Sequence, residues 1–283
     1  MKVNILCIGD VVGKPGRNVL AEKLAGIVSS HSIDCVVVNA ENAAGGSGLT
    51  EKIYNKLMRY GTNIITLGDH IFKKREIIPI LERSNNILKP ANLSEHASGR
   101  TYALYRTGKG PVVGVATLLG RVFMKPANCP FEAIDRLLPK LKNEADIIVV
   151  EVHAEATSEK TALGYYLDGK VSLVFGSHTH VQTADERILP GGTGYITDIG
   201  MTGPHQSVLG RNSDNVVKAM RTQMPYKYDV ATDDARISGI IVTIDSNTKQ
   251  TEMIRRIQVK ADTHNGAAYD SDDGKPEPNG FFY

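Results

Sequence analysis

Five apolar runs in this chain each end in residues able to bind a metal or move a proton. Residues 3–8 lead to Gly9-Asp10, 35–38 to Asn39-Ala40-Glu41-Asn42, and 63–67 to Gly68-Asp69-His70. Further on, 147–150 lead to Glu151-Val152-His153 and 171–175 to Gly176-Ser177-His178-Thr179-His180. Runs this short and this apolar read as strands buried on both faces. Between them lie stretches of helical period: 17–30, carrying Val19, Leu20, Leu24, Ile27 and Val28, then 74–83, 131–142 and 157–167. Thr50 stands where the N-cap of another helix would. Strand and helix alternating over short connections predict a mostly parallel central sheet. Ligands bind outside the carboxyl ends of such strands, which is where these polar residues fall. Each has an ordinary explanation taken singly: Asp10 can cap a helix, His153 can be a satisfied core histidine, Asn42 can hold a turn. Five in succession argue against coincidence.

The Gly176 to His180 stretch is the centre of this pattern. Side chains at i and i+2 of an extended segment point the same way, so His178 and His180 are expected to face one site. Imidazole is the commonest metal ligand, and imidazole mixed with carboxylate and amide suits Mn, Fe, Zn or Co. The strand ends offer more ligands than one ion needs, whereas two ions sharing a carboxylate fit naturally.

The remaining segments are less informative. Residues 101–106 and 111–117 read as a hairpin about Gly108 and Gly110, and 236–244 with 252–259 as another about Ser246-Asn247. Ile188-Leu189 and Tyr195-Ile196-Thr197 suggest short antiparallel strands, and 214–221 a helix. From Ala261 onward Asp, Gly, Asn and Pro dominate, as in a mobile or surface-laid tail. A formal charge of +2 without a block of like charge gives no DNA-binding signature. No stretch reads as a signal segment or a membrane span. Cys7, Cys35 and Cys129 make neither a metal spacing nor a disulfide framework, so a cytoplasmic setting with the cysteines as small core fillers is expected.

Taken in order, Gly9-Asp10-Val11-Val12-Gly13, Glu41-Asn42-Ala43-Ala44-Gly45, Gly68-Asp69-His70, the stretch from His153-Ala154-Glu155 to Lys160, Gly176 to His180, and Met201-Thr202-Gly203-Pro204 resemble a known family. They are similar to the calcineurin-like metallophosphoesterases, and more closely to their YmdB-type branch of bacterial cyclic-nucleotide phosphodiesterases. The resemblance runs from residue 1 to about 260. It implies an α/β fold, a four-layer α/β/β/α sandwich with two central mixed sheets. Residues 1–261 would form the metallophosphoesterase domain and 262–283 a polar tail. It also implies two divalent or mixed-valence metal ions, Fe or Mn foremost, with Zn or Co as alternatives. Asp10, Glu41, Asn42 and His180 would hold one ion; Glu41, Asp69, His153 and His178 would hold the other, with Glu41 bridging. His70 would contact the phosphate and protonate the leaving oxygen. The superfamily pattern is usually Gly-Asn-His, so Asp69 is a departure that adds one negative charge.

The implied reaction is hydrolysis of 2',3'- and/or 3',5'-cyclic nucleotides by a metal-bridging hydroxide attacking phosphorus. The same centre could serve a phosphomonoesterase or nuclease. A metal-holding regulatory or scaffold protein acting through RNA-related partners is a third reading, and a homo-oligomer is open. Gly45 and Gly46 would let a phosphate approach the backbone, or simply form a turn. Arg121 and His205, with Lys14, Arg17 and Arg211, are the other substrate-side candidates.

Overall fold

The computed structural model describes residues 1–262 of the 283. Two mixed sheets pack face to face and helices cover both outer faces, so the four layers run α/β/β/α. The first sheet contains β1 (Lys2–Ile8), β2 (Asp10–Val11), β3 (Cys35–Asn39), β4 (Ile64–Thr66), β11 (Met201–Pro204), β12 (Ala235–Asp245) and β13 (Thr251–Lys260), in the order β2-β11-β12-β1-β3-β4 with β13 paired to β12. The second contains β5 (Tyr102–Arg106), β6 (Val112–Leu119), β7 (Ile147–His153), β8 (Leu173–Ser177), β9 (Arg187–Ile188) and β10 (Gly194–Ile196), in the order β5-β6-β7-β8-β10-β9.

Strand alternation builds the layers. Along β1, Val3, Ile5 and Cys7 enter the core between the sheets, while Leu6 and Ile8 face helices α1 (Gly13–Ser30), α2 (Glu51–Arg59) and α3 (Ile78–Arg83). Along β6, Val113 and Val115 point inward, and Ala116 and Leu118 meet α4 (Pro130–Glu144) and α5 (Thr157–Leu167). Both faces are apolar, which is why the strands read as unbroken runs. Cys7 and Cys35 lie in the inter-sheet core, as small fillers should. Helix α6 (Ser213–Thr222) buries only Val216.

The single, mostly parallel sheet expected from the strand and helix alternation is corrected to two mixed ones. Parallel pairing does occur, in β1-β3-β4 and in β6-β7-β8-β10. The first sheet gains antiparallel partners in β12 and β13, the second in β5 and β9. A strand buried on both faces carries the same pattern in one sheet or two, so the residues alone did not mark the crossing. The expected helix at 74–83 divides into a 3₁₀ turn, Arg75–Ile77, and α3, with Pro79 in the first turn where it lacks no needed donor. Thr50 Oγ1 does accept from Ile53 N, at 3.4 Å. The tail expected at 262–283 lies, past Asp262, outside the described residues.

Candidate metal centre

The inward faces of the strands are apolar until their carboxyl ends, where they turn polar on the same register. Ile147 and Val149 of β7 are followed on that face by Glu151 and His153, Cys35 and Val37 of β3 by Asn39, Leu173 and Phe175 of β8 by Ser177. The site is therefore the polar end of the inter-sheet core, built from both sheets.

One donor atom each from Glu41, Asp69, His153 and His178 lie within 4.8 Å of one another. His153 Nε2 is at the middle, 3.3 Å from Glu41 Oε2, 3.3 Å from Asp69 Oδ1 and 3.0 Å from His178 Nδ1. Gly68 makes this convergence possible, because a Cβ there would lie 2.3 Å from both Glu41 Oε2 and His153 Nε2. The other oxygen of Glu41 faces a second group: Asn42 Nδ2 lies 3.0 Å from Oε1 and 3.3 Å from His180 Nε2. To ligate through oxygen, Asn42 must turn its amide over. Asp10 Oδ2 accepts from His178 N at 3.1 Å, and Asp10 Oδ1 is 3.9 Å from His153 Nδ1. His70 sits at the edge, Nδ1 2.7 Å from Asn42 Oδ1 and Nε2 3.7 Å from Asp69 Oδ2.

The extended geometry expected for the two histidines of the Gly176 to His180 stretch is corrected. Strand β8 ends at Ser177, and His178 and His180 lie beyond it with φ of 88° and 64°. Left-handed backbone costs a side-chain-bearing residue energy, and its stabilisation is visible. Buried Asp198 accepts from Thr179 N at 3.2 Å and Thr179 Oγ1 at 2.6 Å, and pairs with buried Lys160 at 2.8 Å. Asp69 and His70 likewise lie past their strand, in a turn after β4, but without left-handed backbone.

The substrate-side candidates do not gather with this cluster as a set. The guanidinium of Arg211 binds the carbonyls of Gly45 and Gly46, and Arg17 donates to Ala43 O at 2.6 Å. Gly46 has φ 88°, which disfavours any side chain, and a Cβ there would push the Arg211 guanidinium, 2.4 Å away, off its carbonyls. The small-residue loop is thus tied down from two sides. His205 contacts Gly203 O and Ser238 Oγ at 3.0 and 3.4 Å, neither in the cluster. Arg121 does leave β6 beside the site: Gly120 N donates to His153 O at 3.0 Å, and Glu159 accepts from the backbone of Arg121 and Val122.

Electrostatics favour a cation here. Burial raises the Glu41 carboxyl, but the His153 charge and hydrogen bond, with His70 beyond, outweigh it and hold the group at about 2. Asp69 is likewise held low against its burial by His153. Burial keeps His70 and His180 below the usual imidazole value, and burial together with the His153 charge takes His178 to about 4. Neutral imidazoles beside ionised carboxylates are the state a metal requires. Buried His153 is the exception: against its desolvation, Glu41, Asp69 and Asp10 raise it well above the usual value. Its proton stands where positive charge is wanted. Burial raises Asp10, and among the described residues its Oδ1 has no hydrogen-bond partner. A buried carboxylate oxygen with no hydrogen-bond partner, 3.9 Å from the His153 ring, fits divalent metal chemistry.

Sequence reasoning missed the residues that hold the donors in place. Asn39, Glu151, Ser177, Lys160 and Asp198 are all buried beneath the site. Charged residues inside an apolar run, such as Glu151 in β7, were the available signal.

The YmdB-like protein family matches this chain over residues 6–257. A 2',3'-cyclic-nucleotide 2'-phosphodiesterase of Bacillus subtilis is 42% identical over 260 residues, 92% of this chain and 98% of its own length. A crystal structure of a novel phosphatase from Mycoplasma pneumoniae superposes with a TM-score of 0.86 at 34% identity, covering 92% of this chain and 94% of that one. A hypothetical protein from Thermus thermophilus does so at 0.86 and 36%, covering 91% and 99%.

Proposed function

Because the chain belongs to the YmdB-like family, we propose that it is a metal-dependent phosphodiesterase acting on cyclic nucleotides, with 2',3'-cyclic nucleotides first. The observation that carries this reading is the convergence of buried Glu41 and His153 with half-buried Asp69 and His178, in a chain 42% identical to the Bacillus subtilis phosphodiesterase. Two ions are proposed, Fe or Mn, the first held by Asp10, Glu41, Asn42 and His180, the second by Glu41, Asp69, His153 and His178. When bound, such ions lower the pKa of water and neutralise phosphate charge. The described residues contain no helix long and apolar enough to cross a membrane; with three free cysteines, a cytoplasmic setting is proposed.

The chain's own residues do the rest. The site lies at the carboxyl ends of strands from both sheets, over the buried polar side chains of Asn39, Glu151 and Ser177 and the apolar inter-sheet core. To His70, at the edge of the donor cluster, we assign the steadying of phosphoryl oxygens or the protonation of the departing alkoxide. The ester P–O bond that breaks leaves a monophosphate on one ribose oxygen and a hydroxyl on the other. Turnover of a 2',3'-cyclic nucleotide, a phosphate monoester and short RNA by the Mn²⁺-loaded protein tests the proposal. The cyclic diester is expected to be hydrolysed fastest; preference for the monoester or RNA would replace the reading.

Two substitutions separate roles inside the site. His70→Ala should keep the bound metal yet slow cyclic-nucleotide hydrolysis by ~100-fold or more. The loss should be smaller on an aryl phosphodiester, whose leaving group departs without a proton. Equal losses would leave His70 as an oxygen stabiliser only. Asp69→Asn keeps an oxygen ligand and removes one of the three negative charges supplied by Asp10, Glu41 and Asp69. Inorganic phosphate should then inhibit roughly tenfold more strongly, a modest share of what a unit charge at this range can exert. Unchanged inhibition with full metal content would show that the Asp69 charge does not reach the anion.

A further inference from the structure

Glu151 is fully buried, two residues before His153 on β7, and nothing in the proposed chemistry uses it. Its Oε1 accepts from Ser177 Oγ at 2.5 Å and from Asn39 Nδ2 at 2.6 Å. Ser177 Oγ in turn lies 2.9 Å from His153 Nδ1. A serine hydroxyl has one proton to give. Here it goes to Glu151, which leaves Ser177 only lone pairs to offer the imidazole. The amide of Asn39 is oriented independently, because its Oδ1 accepts from Glu41 N at 3.1 Å and so turns Nδ2 toward Glu151. Asn39 and Ser177 donate to Glu151; Asn39 Nδ2 also lies 3.4 Å from His153 Nδ1, but Ser177 Oγ is the nearer partner at 2.9 Å, and Nδ1 donates to it.

We infer that Glu151 is a positioning residue that, through Ser177, keeps the proton of His153 on Nδ1 and so reserves Nε2 for the metal. This rests on the metal reading of the site. Nε2 is the nitrogen that stands 3.3 Å from Glu41 and Asp69 and 3.0 Å from His178. Without the acceptor at 151, the Ser177 hydroxyl is free to turn its proton toward Nδ1. The imidazole then carries its proton on Nε2, facing the site, and must give it up before it can ligate. The relay also crosses the sheets, since Asn39 belongs to the first and Glu151, His153 and Ser177 to the second.

The test measures Mn²⁺ affinity by calorimetry in folded wild type, S177A, E151L and E151Q, and the protonated ring nitrogen of His153 by ¹⁵N NMR. S177A and E151L should bind Mn²⁺ 10–100-fold more weakly, the usual loss when the partner behind a ligand is removed. E151Q should stay near wild type, because its amide oxygen can accept the same two hydrogen bonds. The wild-type spectrum, Zn²⁺-loaded or metal-free at a pH high enough to discharge His153, should show the remaining proton on Nδ1. Wild-type affinity in S177A and E151L, a loss in E151Q as large as in E151L, or a wild-type proton only on Nε2 would overturn the inference. If the wild type binds no Mn²⁺, the metal reading fails; the metal-free spectrum still decides which nitrogen Ser177 faces.

Discussion

Glu41→Gln is expected to abolish stoichiometric metal loading and lower the rate of phosphodiester hydrolysis by ~10³-fold or more, with the fold retained. The reason is the division of labour between its two oxygens. Oε2 faces His153 Nε2 at 3.3 Å and accepts from His70 N at 3.1 Å; Oε1 faces Asn42 Nδ2 at 3.0 Å. An amide offers only one acceptor, so its NH₂ must confront either the His70 amide or the Asn42 side chain. It also removes a charge that the His153 proton now balances. The affinity loss should exceed the 10–100-fold typical of a residue behind a ligand. Losing the several kcal/mol that metals contribute to a hydrolytic transition state gives the stated rate factor. Metal content by elemental analysis, turnover, and circular dichroism together check it. A variant with wild-type stoichiometry and rate would end the bridging role of Glu41.

The second large effect falls on stability. Lys160 and Asp198 form an ion pair with side chains 1% and 0% exposed, and Asp198 also accepts from Thr179 and Gly200. Removing one partner of a buried pair leaves the other charge uncompensated, at a cost of about 3–5 kcal/mol. Asp198→Ala should therefore lower the melting temperature by roughly 6–20 °C, at about 2–4 °C per kcal/mol for a chain of this size. Replacing Lys160 by Met in the same protein should recover part of the loss, because no orphaned ammonium remains. Asp198 is also what holds Thr179 between the two left-handed histidines, so the single variant should bind metal more weakly even where it is folded. A melting temperature within a degree or two of wild type would show that water relieves the Lys160 charge.

Much of this site could be read from the residues because strand ends are marked by the change from apolar to polar. Asp10, Glu41, His153 and His178 stand out for that reason. The division into two sheets was legible only through the family resemblance, since Val37 and Val149 carry the same signature whether their strands share a sheet or face each other. The approach of His178 and His180 to the site was expected for the wrong reason: alternation on a strand was assumed, whereas positive φ at both residues brings them in. No sequence pattern announces left-handed backbone at histidine. Nor did it announce that Arg211, on a distant loop, clamps Gly45 and Gly46, because that contact joins positions 165 and 166 residues apart.

The metal donors are mounted half on one slab of the sandwich and half on the other. Glu41 follows a strand of the first sheet, while His153 and the loop of His178 belong to the second. Apolar contacts between slabs are non-directional and would tolerate a small slide, yet donor atoms 3.3 Å apart across the seam would not. The Asn39–Glu151 hydrogen bond works as a dowel across that seam. The spacing set by Ile5, Val37, Val149 and Phe175 in the layer below acts as a gauge block. Side-chain volume deep in the sandwich is thus part of the tolerance to which the reaction is built, at positions that never touch a nucleotide.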